Sequence, residues 1–180
     1  LDRFVEAQHR GFEVALALGF FFRDPERRTP GGTDLVISPA DGRVVVAGTP
    51  QPGVAPPGDW TQVSVFLSPL DVHVNRVPMA GRISQVNYQP GSYRAAYKPE
   101  AATENERNEI WIERDGRTVV CRQITGVLVR RVVCRVRPGD HVRAGDRFGI
   151  MKFGSRIDLF LPRGTGLLVG VGDRVRAGET

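Results

Sequence analysis

Cysteine is scarce: only Cys121 and Cys134 occur in 180 residues, and both sit inside strand-like runs. Two cysteines cannot build the disulfide framework of a small secreted domain, so they read as small buried apolar residues in a reducing compartment. Metal ligands are equally thin. His9, His73 and His141 lie far apart in sequence, with neither cysteine close to any of them, so no metal site is expected. Long apolar runs are missing as well. The stretch from Phe12 to Phe22 is broken by Glu13 and too short to span a bilayer, which leaves the remnant of a longer anchor or an amphipathic helix. The arginines are scattered rather than clustered with aromatics, so nucleic acid is not expected as a partner.

What the chain does have is glycine (21), proline (13) and a net charge of +5. The glycines and prolines fall between short apolar runs, the pattern of many strands joined by tight turns. The length suits one domain with a real core. The positive charge suits an acidic partner, and an anionic membrane surface fits best.

Residues 1–22 read as a helix, with Leu1, Val5, Phe12, Leu16 and Phe20 on one face. Taken alone, such a stripe is expected to pack on the protein's own core. Pro25 ends the helix, since the residue before a proline is pushed out of helical geometry. Strand candidates follow at 35–37, 44–46, 63–67, 110–113, 118–121, 127–136 and 157–161. Residues 50–60 read as an exposed loop, and 94–108 as a long loop or short helix. A weak repeat links 138–145 with 171–178: each copy has a Gly-Asp turn, a short strand and a second glycine turn. Paired units of this kind predict a mainly β fold in which two similar halves interlock as a small β-sandwich.

Four segments could carry chemistry: Ser38-Pro39-Ala40-Asp41-Gly42, the run through Val72-His73-Val74-Asn75-Arg76, Gln123-Ile124-Thr125-Gly126, and Phe153-Gly154-Ser155-Arg156. Each has a bland reading as a turn or a structural histidine. Together and in this order, with Phe21–Arg27 and Asn105-Glu106-Arg107-Asn108, they resemble the phosphatidylserine decarboxylases, especially the short bacterial and archaeal type. The resemblance covers nearly the whole chain from about residue 20.

It implies that the chain cleaves itself between 154 and 155, that Ser155 attacks the Gly154 carbonyl, and that Ser155 becomes a pyruvoyl cofactor. A decarboxylase needs an electron sink for the carbanion at Cα, which no ordinary side chain provides. A serine hydroxyl needs a base, and His73 is the candidate, oriented by Asp41. Longer members carry a second histidine three residues after the first. Here that position is Arg76, which is assigned to the substrate phosphate. The expected organisation is a membrane-proximal helix at 1–22 and a decarboxylase domain at 23–180, with a barrel-sandwich-hybrid-like architecture. The expected partners are an anionic phospholipid substrate, a membrane surface, the two cleavage fragments held together, and potentially a second copy as a homodimer. The expected location is peripheral, on the cytoplasmic face of the cell membrane. Two other readings compete. Val142–Lys152 looks like the hairpin and Met-Lys tip of biotinyl and lipoyl carrier domains. A relative that binds anionic lipid but does not process itself is the other.

Overall fold

The computed structural model describes residues 12–180 apart from 14, 17–18, 33, 128–130 and 152–153. Among the described residues, 12–13, 15–16 and 19–21 are helical, and eleven strands and a further helical turn follow in chain order: β1 (Gly42–Gly48), β2 (Trp60–Leu67), β3 (Val74–Arg76), β4 (Gly81–Gln89), α1 (Ala101–Glu104), β5 (Arg107–Arg114), β6 (Arg117–Ile124), β7 (Val132–Cys134), β8 (His141–Val142), β9 (Arg147–Met151), β10 (Ser155–Pro162) and β11 (Arg174–Val175). Eight of them form one antiparallel sheet in the order β11-β1-β2-β10-β6-β5-β4-β8, and β3-β9-β7 form a second. The mainly β expectation holds.

Period-two alternation explains the core. Val63, Val65 and Leu67 on β2, Ile110 and Ile112 on β5, and Ile157, Leu159 and Leu161 on β10 point to one face of the large sheet. They pack there with Phe148 and Met151 of β9. Burying each such side chain contributes about 1.5–3 kcal/mol. The opposite face of β10 is covered too, by a second cluster of Val54, Ala102, Val120, Ile124 and Phe160. Cys121 lies in the main core, and Cys134 is half-buried beside it.

The two copies of the turn repeat close the large sheet at its two edges. In the first, Gly139 N donates to Ile83 O, Ile83 N to Asp140 O, and Gly145 N to Val77 O. In the second, Gly172 N donates to Val44 O, Val44 N to Asp173 O, and Gly178 N to Ser38 O. The bonds correspond one to one, so β1 and β4 occupy equivalent places in two related halves. The halves are tied by Arg76 N to Pro39 O and Ile37 N to Pro78 O. This is the interlocking that the repeat predicts.

Three expectations change. Residues 35–37 form no strand: Ile37 is buried, but its N–H goes to a proline carbonyl, with no ladder beyond it. The 127–136 run yields only the short β7 among the described residues. The helix expected over 1–22 lies largely outside the described residues. Where its apolar stripe is described it does not pack on the core, since Phe12, Leu16 and Phe20 are 65%, 58% and 53% exposed.

The outer face of β10 carries a buried charge pair. Arg156 Nε donates to Asp158 Oδ1 at 2.6 Å, and its Nη2 reaches Gln51 Oε1 at 2.7 Å and Ser64 Oγ at 3.0 Å. Removing one partner strands the other charge away from water. Asp158→Ala therefore lowers stability by about 3–5 kcal/mol, read as a fall in the urea unfolding midpoint; an unchanged midpoint would show that Arg156 is solvated.

Candidate active site

Ser155 is the first residue of β10, paired with Leu67 of β2 across the ladder, and is completely buried. Its Oγ has no hydrogen-bond partner among the described residues. A buried hydroxyl of this kind costs about 1–3 kcal/mol, so its retention calls for a reason. The residue before it, Gly154, has φ +69°, a left-handed conformation that glycine adopts without a Cβ penalty.

The Gly154 carbonyl lies close to Gly126, two residues past the end of β6. A side-chain carbon added at Gly126 would overlap the Gly154 oxygen, so only glycine fits at that position. Asn105 holds this corner. Its Nδ2 donates to the carbonyls of Thr125 and Arg94, each at 2.8 Å, and its Oδ1 accepts from Arg94 N at 2.9 Å. Thr125 in turn donates its N–H and its hydroxyl to Glu106 O, both at 3.0 Å. The Asn105–Asn108 and Gln123–Gly126 segments thus act as backbone supports for the peptide at 154–155.

His73 precedes β3 and is buried. Its carbonyl accepts from Met151 N at 3.2 Å, which ties it to the end of β9, three residues before Gly154. Nδ1 lies 2.8 Å from Asp71 O. A carbonyl can only accept, so Nδ1 carries the proton and Nε2 keeps a free lone pair. That Nε2 is another buried atom without a partner among the described residues. The Phe21 ring covers the imidazole, with centroids 4.3 Å apart. Burial lowers the His73 pKa from its ordinary value, assisted by the Arg23 charge and opposed by the Asp71 hydrogen bond and by the Asp71 and Asp41 charges. The result is a neutral imidazole with an available lone pair. The third unpartnered buried atom is Asn75 Nδ2.

Two of the expected site residues are engaged in ion pairs. Asp41 does not hydrogen-bond His73. Its Oδ2 pairs with Arg27 at 2.7 Å and its Oδ1 accepts from Ala177 N at 2.8 Å, so it staples the chain ahead of β1 to the C-terminal turn. The Asp71 carbonyl takes the orienting position instead. Arg76 is buried and donates to Asp24 Oδ1 at 2.8 Å, Pro25 O at 3.1 Å and Gly145 O at 3.0 Å. Its guanidinium is committed to holding the 24–25 segment, which leaves the phosphate assignment without a free fork. Sequence reasoning passed over Phe21 and Gly126, although both lie inside the quoted segments.

Fold and site together define a mainly β protein built around one buried serine at the start of a central strand. The family model described as phosphatidylserine decarboxylase matches residues 14–180. Proteins named phosphatidylserine decarboxylase proenzyme are similar over most of their length. That of Granulibacter bethesdensis is 49% identical over 178 residues, covering 94% of this chain and 71% of that protein. That of Chlorobium luteolum is 47% identical over 172 residues, with 93% and 80% covered. The Syntrophus aciditrophicus protein is 43% identical over 162 residues, with 89% and 76% covered. The chain belongs to the phosphatidylserine decarboxylase family. That membership displaces the carrier-module reading, whose Lys152 lies outside the described residues.

The cover over His73 makes a direct prediction. Phe21→Ala admits water to the imidazole and raises its titration midpoint toward the ordinary histidine value, read from the ring-proton shifts by NMR. No upward movement would mean that Phe21 is not what keeps His73 dry.

Proposed function

We propose that this chain converts phosphatidylserine to phosphatidylethanolamine and carbon dioxide, after cutting itself at Gly154-Ser155 to make a pyruvoyl group from Ser155. The observation that carries the reading is the buried, unpartnered Ser155 hydroxyl directly after a left-handed glycine. These residues fit the formation of such a group: the Ser155 hydroxyl is buried and unpartnered, the Gly154 carbonyl lies where only a glycine at 126 leaves it room, and His73 is buried with its Nε2 unpartnered.

The steps fall on the chain's own atoms. His73 Nε2 takes the Ser155 hydroxyl proton, and Oγ bonds to the Gly154 carbonyl carbon. The C–N bond then breaks, the Ser155 nitrogen leaves with a proton, and an ester joins the two segments. Loss of the Ser155 Cα proton expels the Gly154 carboxylate and leaves a dehydroalanine. Its imine tautomer takes up one water and releases ammonia, so residues 155–180 begin with a ketone. That carbonyl supplies the electron sink for decarboxylation. His73, carrying a proton on Nε2, is the group positioned to return it to the substrate carbon. Residues 155–162 pair with β2 on one side and residues 156–160 with β6 on the other, which supports two fragments remaining together after the cut.

Among the described residues no helix is long and apolar enough to cross a membrane. The exposed Phe12, Leu16, Phe20 and Phe22 beside Arg23 support attachment to the surface of an anionic membrane, on its cytoplasmic face.

Intact-mass measurement tests the reading. Wild-type protein gives two fragments, with the 155–180 piece blocked to Edman degradation, and Ser155→Ala gives one chain. A stable full-length wild type would instead favour the relative that binds lipid without processing itself. Gly126→Ala pushes the Gly154 carbonyl out of line and slows cleavage by at least about 10²-fold; cleavage at the wild-type rate would show that the carbonyl has room.

The pH dependence has a fixed sign. His73 must be neutral to act as base, so the cleavage rate rises with pH along a limb centred below the ordinary value of 6.5. In uncleaved Ser155→Ala protein, the same lowered pKa gives stability that is present above 6.5 and lost as pH falls through the folded value. His73→Gln removes that part of the acid lability, and a variant with undiminished lability would assign it to another group.

A further inference from the structure

Asn75 is buried on β3, and nothing in the chemistry above uses it. Its amide orientation is dictated by its neighbours. Oδ1 accepts from Gln123 Nε2 at 2.8 Å. Gln123 cannot present its oxygen instead, because Oε1 accepts from Asn108 Nδ2 at 3.3 Å while Nε2 also donates to Val133 O at 3.3 Å. Turning the Asn75 amide over would set two NH₂ groups against each other. Asn75 therefore points its NH₂ away from Gln123, and that nitrogen has no partner among the described residues.

An unsatisfied buried amide is a standing cost that an apolar residue of the same shape would remove. Its retention makes sense where the partner exists only during a reaction. The placement says which reaction. Asn75 and His73 lie two residues apart, on the same face of one extended segment. That segment pairs with β9 at Val74–Ile150 and Asn75–Gly149, immediately before the residues leading to Gly154. Gln123, the anchor of Asn75, pairs with Ile157, two residues past Ser155. The chain on both sides of the scissile peptide is thus tied to this one amide. The three unpartnered buried atoms, Ser155 Oγ, His73 Nε2 and Asn75 Nδ2, supply a nucleophile, a base and a hydrogen-bond donor.

We infer that Asn75 Nδ2 donates to the Gly154 oxygen as it becomes negative in the tetrahedral intermediate of self-cleavage. The carbonyl oxygen moves as its carbon becomes tetrahedral, and a donor aimed at the later position is unpaired beforehand. Formation of the Oγ–C bond places the negative charge on this oxygen. Collapse of that charge breaks the C–N bond, and the hydrogen bond is then released. The inference rests on the self-processing reading.

The test follows the rate of fragment formation by intact mass in Asn75→Asp, Asn75→Leu and Asn75→Ala. The Asp variant keeps an oxygen for Gln123 and the Leu variant keeps the volume, and all three lack the donor. Each is placed in a Ser155→Ala background as well, and those whose unfolding midpoint matches that of Ser155→Ala alone are scored. The expected result is cleavage slowed by about 10²–10³-fold. Hydroxylamine, which cuts esters, should not restore the rate, because the deficit precedes the ester. Wild-type rates in the scored variants would overturn the inference. So would slow cleavage that hydroxylamine restores, since that places the defect at the later elimination. If all three variants unfold, Asn75 is a packing residue and the inference fails. A wild type that never cleaves would sink the self-processing reading instead, whatever the variants do.

Discussion

The strand that begins at Ser155 is hydrogen-bonded along its length to β2 and, over residues 156–160, to β6. Because β10 is central, neither of its faces reaches water: Ile157, Leu159 and Leu161 fill the main core, and Phe160 fills the second cluster. Every property of the site depends on that placement. A nucleophile on an edge strand or a loop would be solvated and mobile. At the start of β10 it is held in one register, with its neighbours on both sides set by ladder hydrogen bonds. The Arg156–Asp158 pair on the outer face adds directional contacts to Ser64 and Gln51, which resist sliding of the strand more than apolar packing does.

The internal symmetry explains how a chain of this size buries such a strand. Two turn units clamp the large sheet at β8 and β11, each by the same three backbone hydrogen bonds. Closing both edges with short strands leaves little ladder open to other chains. The staples that hold the N-terminal segment to this frame are charged. Arg27 bridges Asp41 and Glu179, and Arg76 bridges Asp24 and the Gly145 carbonyl. These pairs anchor the 24–27 segment that follows Phe21, whose ring covers His73.

Legibility in the sequence followed the physics of each element. β2, β5, β6 and β10 are buried on at least one face, and their apolar alternation or runs gave them away. β4 was not read as a strand, because Arg82, Gln85, Asn87 and Gln89 fill it with polar side chains facing solvent or a neighbour. Residues 35–37 carried a strand-like run for a different reason: Ile37 is buried by a loop. Ser155, Gly154 and His73 were singled out through their company in the chain; in the fold Ser155 and His73 are both buried with an unpartnered polar atom, and Gly154 is left-handed. The sequence suggested Asp41 as the partner of His73, but a carboxylate and a backbone carbonyl can orient an imidazole equally well, and the fold puts the Asp71 carbonyl there. The exposed face of Phe12, Leu16 and Phe20 has the same period as a core-facing helix, so periodicity alone could not assign its side.

Dryness also has a chemical consequence. In the proposed self-cleavage, the ester at Ser155 would have two fates: elimination, which leads to the ketone, and hydrolysis, which merely restores serine at the head of a severed chain. A solvated site would favour the second. Ser155 is completely buried and the Phe21 ring covers His73, so bulk water is kept from both side chains. Water is needed only at the last step, after the chain is cut and residue 155 has become a chain end. On the proposed mechanism, the same burial that leaves Ser155 Oγ and His73 Nε2 without partners would favour that order of events. Stability given up at these atoms, on the order of 1–3 kcal/mol each, is the cost of keeping water out until it is useful, and the doubly paired strand behind them is what lets the fold bear it.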